Sequence, residues 1–167
     1  NDLDRRPVDG IDGKAEEKEI LAVLQNYGIK VGFRDDTAPV TDQVSLSLWG
    51  TGTPRREFLH ADELADACVF LMESVSFGDM TGYHPGRNQE VRNTHINIGT
   101  GTDLTIRELA AIVKKVTGFK GNLDWDSSKP DGTFQKLLDV SKLRSLGWKA
   151  RFSLEEGIRT VYQQYHR

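Results

Sequence analysis

Apolar residues recur at helical spacing in several stretches of the chain. Residues 14–27 combine one apolar face with one charged face, and Gly28 follows where a helix needs a left-handed residue to end. A second helix is predicted to begin with Asp62 and Glu63, whose negative charges suit a helix N-terminus. Its predicted buried stripe consists of Leu64, Ala67, Cys68, Leu71, Met72 and Val75.

Two capping boxes predict where later helices begin. Thr105 with Glu108, and Ser153 with Glu156, have the spacing at which each side chain bonds the other residue's backbone N–H. Apolar residues at helical spacing follow both boxes. A shorter helix, closed by Gly147, is predicted between them.

Short runs of alternating apolar and polar residues predict strands between these helices. Trp49 ends one such run on its polar face, together with serines. The turn-rich segment 34–42 and residues 76–93 are predicted to be loops. Because strands and helices alternate, the pattern predicts an α/β or α+β layer structure. The predicted strands are 29–33, 44–49, 56–60, 94–99 and 122–125.

Composition narrows the class of protein further. The chain has 167 residues, 37% of them apolar, and 22 Lys and Arg against 25 Asp and Glu. Neither nucleic acid nor a membrane is therefore expected as a partner. The N-terminus is acidic and polar, unlike a signal peptide, so a cytoplasmic setting is expected. Cys68 is the single cysteine, and no Cys and His cluster has metal-ligand spacing, so neither a disulfide nor a metal site is expected.

The sequence lacks a complete set of catalytic residues. A nicotinamide fingerprint needs G-x-G-x-x-G, but "GTGTPR" has Arg55 at the third glycine position and "GTGTDL" has Leu104 there. No phosphate-binding Walker loop and no G-x-S-x-G nucleophile motif is present. Neither catalytic nor cofactor-binding residues are therefore predicted in this chain.

Binding chemistry is better represented. Arg55 and Arg56 follow a glycine turn, and an arginine can bind a diphosphate with two hydrogen bonds. On a strand the two arginines point to opposite faces, so at most one reaches a ligand directly. Trp49 could cover a base or sugar ring, Asp131 could accept bonds from hydroxyls, and Lys136 adds positive charge. Taken singly, each residue is more often explained by packing, a surface ion pair or a common turn.

Three longer motifs resemble the C-terminal half of the GDP-L-fucose synthase family. They are "LWGTGTPRREFLHADELADACVFLM", "HINIGTGTDLTIRELAAIVKKVTGFKG" and "DSSKPDGTFQKLLDVSKLRSLGW". The similarity extends from about Leu46 to Tyr165. Members of this family are NADP-dependent 3,5-epimerases and 4-reductases acting on GDP-4-keto-6-deoxy-mannose. R-E-F-L-H and N-I-G-x-G resemble extended short-chain dehydrogenases in general, whereas W-G-T-G-T-P-R-R-E-F and K-P-D-G-T are more particular to this family.

The resemblance implies a small mixed α/β substrate-binding domain of an extended short-chain dehydrogenase, over residues 44–167, without a complete Rossmann domain. By position in the motifs, Trp49, Arg56, Asp131 and Lys136 match substrate-contacting or nearby basic residues. Arg56 is then the expected diphosphate partner. Residues 1–43, predicted to hold one helix and one strand, match no part of the family.

The resemblance also implies what this chain needs for catalysis. In the family, NADP and the catalytic residues lie in a Rossmann half, so the isolated chain is expected to be catalytically incomplete and to bind no NADP alone. A GDP-sugar is the expected ligand, and a Rossmann-domain polypeptide and a homodimer are open as partners. Two other hypotheses for the function of the chain remain open. One is a non-catalytic remnant or interaction module with this fold, and the other is the substrate domain of another nucleotide-sugar epimerase or dehydratase.

Overall fold

The computed structural model describes residues 9–12, 14–34, 38–82, 86 and 90–165. The chain forms two compact units. The first unit takes residues up to Thr53 together with Gly118–Gly132, and the second takes Pro54–Thr117 and the residues from Thr133 onwards. In chain order the elements are α1 (Glu17–Asn26), β1 (Ile29–Arg34), β2 (Ala38–Trp49), β3 (Arg55–Glu57), α2 (Ala61–Ser74), α3 (Phe77–Thr81), β4 (Asp103–Thr105), α4 (Ile106–Thr117), β5 (Asn122–Asp126), β6 (Gln135–Lys136), α5 (Ser141–Ser145) and α6 (Leu154–Tyr165).

The first unit is built on a three-stranded sheet with the order β1-β2-β5. Strands β1 and β2 are antiparallel, whereas β2 and β5 run parallel, with Trp49 opposite Asp126. Helix α1 lies against β1 and reaches it through Gly28, whose φ of +79° is left-handed. A Cβ at Gly28 would stand 2.9 Å from the Ser47 carbonyl oxygen, so this turn requires glycine.

The second unit has its own three-stranded sheet, with the order β4-β3-β6, and most of the helices. Strand β3 pairs antiparallel with β4 and parallel with β6. Helices α4 and α6 pack against each other. The buried core lies between α2 and the α5 region and consists of Ala67, Leu143 and Trp148, with Leu59, Phe70, Leu71, Ile96, Ile98 and Ala150 packed around it.

The mixed α/β class and both capping boxes are confirmed. In the first box, the Thr105 N–H donates to Glu108 Oε2 over 2.7 Å, and the Glu108 N–H donates to Thr105 Oγ1 over 3.1 Å. In the second, the corresponding distances between Ser153 and Glu156 are 2.8 and 3.3 Å. Both boxes work locally, which is why residues three apart were enough to predict them.

Two predictions about strands and loops were wrong. Residues 94–99 form no strand, since no neighbouring strand among the described residues bonds their backbone, although Ile96 and Ile98 do pack on the core as their alternation predicts. The predicted loops also hold structure: β2 already begins at Ala38, and α3 occupies Phe77–Thr81. Residues 35–37, 83–85 and 87–89 of those loops lie outside the described residues. Strand β2 crosses residue 43, and the domain boundary proposed there stays a prediction.

The predicted buried stripe of α2 was also wrong in part. Ala67 is fully buried, but Leu64 and Cys68 are exposed and the Met72 side chain is 82% exposed. Buried instead is Glu63, four residues before Ala67 and therefore on the same helix face. Its carboxylate accepts a hydrogen bond from the Arg151 backbone N–H over 2.6 Å, a partner that helical periodicity does not reveal.

Candidate functional site

The first unit presents an exposed tryptophan at the end of β2. The Trp49 side chain is 77% exposed, as expected from its place on the polar face of the strand. Lys129 Nζ lies 5.7 Å from the centroid of the Trp49 ring, within the range of a cation–π contact. An exposed indole with a cation over it offers both a stacking surface and a positive charge to a ligand.

Asp131 accepts two hydrogen bonds from Thr51, in the loop that follows Trp49. Its Oδ1 accepts a hydrogen bond from the Thr51 N–H over 2.9 Å, and its Oδ2 accepts from Thr51 Oγ1 over 2.6 Å. The hydroxyl bond, and after it the backbone bond, hold the pKa of Asp131 below its ordinary value. Both carboxylate oxygens thus serve the turn, and each keeps a second lone pair for a further donor.

The glycines of this turn are required by the protein's own side chains. Gly50 and Gly52 have φ of +79° and +75°, in the left-handed region. A Cβ on Gly50 would collide with Asp131 Oδ1, and a Cβ on Gly52 would stand 2.5 Å from Cζ3 of the Trp125 ring. The space that a dinucleotide fingerprint would leave open for a pyrophosphate is therefore filled.

Side chains also occupy the space beside the second glycine pair, Gly99 and Gly101. A Cβ on Gly99 would stand 2.5 Å from Glu57 Oε1, and one on Gly101 would stand 2.6 Å from a methyl group of Val140. The chain after Gly101 continues into β4 rather than directly into a helix. Neither glycine pair therefore has room for the diphosphate of NADP.

In the second unit, the Arg55 side chain forms an ion pair with Asp103. Its Nε donates to Asp103 Oδ1 over 2.9 Å, and Gln135 Nε2 donates to Asp103 Oδ2 over 2.6 Å. The bond from Gln135, followed by that from Arg55, lowers the pKa of Asp103. These contacts tie all three strands of the sheet together on one face, so Arg55 has a structural role.

Arg56 points to the other face of β3 and has a cationic neighbour. It lies in register with Lys136 on β6, and adjacent strands are about 5 Å apart. Arg56 Nη1 donates to the Arg55 carbonyl oxygen over 2.6 Å, and the Lys136 side chain is exposed. Among the described residues, no carboxylate lies within ion-pair distance of either cation.

The four predicted site residues therefore fall into two groups. Trp49 and Asp131 belong to the first unit, and Arg56 and Lys136 are neighbours in the second. Sequence reasoning missed three partners: Lys129 over Trp49, Thr51 on Asp131, and Glu57 beneath the second glycine pair. The spacing gave no signal for them, because Thr51 and Asp131 lie 80 positions apart.

Residues 36–99 match the model of the NAD dependent epimerase/dehydratase family. A GDP-6-OMe-4-keto-L-xylo-heptose reductase from C. jejuni superposes with a TM-score of 0.74 at 39% identity, covering 91% of this chain and 39% of that one. A GDP-D-glycero-L-gluco-heptose synthase from Campylobacter jejuni, solved in the presence of NADPH, gives 0.74 at 37% identity, covering 92% and 38%. The fold is part of that of an extended short-chain dehydrogenase.

The particular similarity is to GDP-L-fucose synthases. The chain is 48% identical over 133 residues to putative GDP-L-fucose synthase 2 of Arabidopsis thaliana, covering 80% of this chain and 35% of the relative. It is 48% identical over 133 residues to GDP-L-fucose synthase of Escherichia coli K12, covering 80% and 39%. The resemblance indicated by the sequence motifs is confirmed, and the chain spans somewhat more than a third of these relatives.

None of the helices in the described ranges is long and apolar enough to cross a membrane.

Proposed function

We propose that this chain binds a GDP-sugar, as the substrate-binding part of a GDP-L-fucose synthase-like epimerase and reductase. The observation that carries the proposal is the pair of cations, Arg56 and Lys136, side by side on β3 and β6. Like charges on neighbouring strands repel each other. A bound dianion removes that repulsion, and a diphosphate supplies oxygens for both cations at this spacing.

The relatives support guanosine diphosphate as the common chemical element. Their names specify different sugars, a fucose in some and heptoses in others, but GDP in each case. The diphosphate is therefore the part of the ligand for which Arg56 and Lys136 are proposed.

Trp49 and Asp131 enter the proposal as the sequence predicted them. Within the first unit, the exposed Trp49 ring is proposed as a stacking surface for a base or sugar ring, and the Asp131 carboxylate as an acceptor for a hydroxyl group. The geometry adds a second task for Asp131, since it holds the Thr51 turn next to Trp49. The proposal includes a cytoplasmic location, and it requires a Rossmann-domain polypeptide for hydride transfer, so the isolated chain is expected to leave NADPH unoxidised.

The test is a calorimetric titration of the purified chain with GDP-mannose. Replacing Arg56 with Ala removes a charge-assisted contact and should raise Kd about 10- to 100-fold. Lys136→Ala should raise it by a smaller factor, because an exposed lysine makes a single flexible contact. Lys149→Ala is the matched control: it also removes one exposed positive charge from the second unit and should leave Kd unchanged.

Equal Kd values for all four proteins would refute a diphosphate site at this pair. Absence of heat with millimolar GDP-mannose at two temperatures about 15 degrees apart would refute binding by the isolated chain, because a binding enthalpy that is zero at one temperature differs from zero at another. Guanosine, which has the base and ribose without phosphates, serves as a second probe. Its weaker binding should be the same in the Arg56→Ala variant as in the unmodified chain.

One observation favours a second candidate, an interaction module with the same fold. Leu64, Cys68 and Met72 lie one helical turn apart on α2 and are exposed together. An apolar stripe of this kind is typical of a surface that another polypeptide covers. Under this candidate the Arg56→Ala variant would associate with other chains as the unmodified protein does, and GDP-mannose would have no effect on that association.

A further inference from the structure

Glu57 is the connecting point of two distant segments of the second unit. Its Oε1 accepts hydrogen bonds from the Gly101 N–H over 2.6 Å and from Thr100 Oγ1 over 3.1 Å. Its Oε2 accepts from the Leu138 N–H over 3.1 Å. One partly buried carboxylate thus satisfies backbone donors 44 and 81 positions away. Removing it would leave these donors without their acceptor.

The Glu57 side chain points away from the strand face that carries Arg56 and Lys136. Residues of a strand alternate between faces, so Glu57 shares a face with Arg55 and lies opposite to Arg56. Arg55 is bonded to Asp103 on that face. Glu57 therefore does not face the cation pair, and any effect on Lys136 must pass through the backbone of β6.

Strand β6 is only two residues long and depends on contacts at both of its ends. Before it, the Phe134 carbonyl oxygen accepts from the Arg55 N–H over 2.7 Å. After it, the Leu138 N–H donates to Glu57. A strand of this length has few ladder bonds of its own to fix its register.

We propose that Glu57 is a positioning residue, which holds β6 against β3 so that Lys136 stays beside Arg56 for the diphosphate. The inference rests on the proposed function for the ligand, and on the contacts of Glu57 for the positioning. It assigns to the Glu of the R-E-F motif a role in binding that involves no contact with the ligand.

The perturbation that tests it is Glu57→Gln. The amide oxygen can go on accepting from Gly101 and Thr100, but the amide NH₂ then faces the Leu138 N–H, donor against donor. The matched control is Glu63→Gln in the same unit. Glu63 is 2% exposed and accepts from the Arg151 N–H, so its loss destabilises the unit without touching β3 or β6.

Amide hydrogen exchange measures the positioning directly. In Glu57→Gln the Leu138 amide should exchange about 10-fold faster, and the Arg55 amide, at the other end of β6, should also accelerate. The Gly101 amide should keep its rate. Unchanged exchange at Arg55 would overturn the proposal, because Glu57 would then hold only its own partner. Equal acceleration at Arg55 in the Glu63→Gln control would also overturn it.

Titration with GDP-mannose measures the consequence for binding through a double-mutant cycle. Glu57→Gln should raise Kd about 3- to 10-fold, and should add nothing once Lys136 is already Ala. A purely structural role would lower the melting temperature and leave Kd of the folded protein unchanged. Additive effects of the two substitutions on Kd would overturn the route through Lys136.

The two proposals fail in different ways. If the unmodified chain binds no GDP-mannose, the proposed function fails and the ligand part of this inference fails with it, whereas exchange at Arg55 still decides the positioning part. If the unmodified chain binds and Glu57→Gln binds equally well, only the role of Glu57 is overturned.

Discussion

Gly52→Ala tests whether the W-G-T-G-T turn is shaped by the protein's own packing. Gly52 has φ of +75°, and the new Cβ would stand 2.5 and 2.6 Å from Cζ3 and Cη2 of the Trp125 ring. Left-handed backbone costs a residue with a Cβ about 1 to 2 kcal/mol. Pushing a rigid indole aside costs about 1 to 3 kcal/mol more. The smaller entropy of the unfolded Ala chain offsets about 0.4 to 1 kcal/mol.

The expected net loss is therefore about 2 to 4 kcal/mol in the free energy of unfolding. Gly118→Ala is the matched control, since Gly118 belongs to the same unit and has φ of +71° but no atom within 4 Å of the new Cβ. It should show the backbone part alone, about 1 kcal/mol. Urea denaturation of both variants, followed by circular dichroism, gives the difference. Losses equal to within about 0.5 kcal/mol would refute the packing argument.

Leu143→Ala should lower the free energy of unfolding by about 3 to 5 kcal/mol in urea denaturation, because its side chain is 1% exposed, whereas the exposed Leu138→Ala should cost less than about 1. The lowered pKa of Asp131 gives stability that is complete above the ordinary Asp value and is lost as pH falls through the lowered one. The Thr51→Val variant lacks the hydroxyl that donates to Asp131, so a carbon-13 titration should find the pKa of Asp131 higher than in the unmodified chain. An unchanged pKa would contradict the hydrogen bond from the Thr51 hydroxyl. Raising salt from about 0.05 to 0.5 M should weaken GDP-mannose binding, and less so in Arg56→Ala.

The sequence predicted those features that depend on neighbours a few residues apart. The Thr105 and Ser153 capping boxes, the left-handed glycine after α1 and the exposed face of Trp49 each follow from short-range geometry. The separation of Arg55 from Arg56 also follows from strand alternation, and the ion pair of Arg55 with Asp103 agrees with it.

Features set by distant partners could not be predicted in this way. Periodicity gave α2 a stripe that includes Met72, but the buried face is decided by where Trp148 and the Arg151 backbone lie. The alternation at 94–99 correctly indicated that Ile96 and Ile98 pack inward, yet a strand also needs a neighbour for its backbone. The roles of Arg56 and Lys136 as ligand contacts stay predictions.

The three tryptophans differ in their exposure, and this gives the protein distinct optical signals. Trp148 is 6% exposed, Trp125 is half-buried against Gly52, and Trp49 is largely in water. Indole in water emits at longer wavelength than indole in an apolar core, so the red edge of the fluorescence spectrum belongs mainly to Trp49. Iodide, attracted by the charge of Lys129, should quench that edge first. The unlabelled chain therefore contains its own fluorescent reporter at the tip of β2.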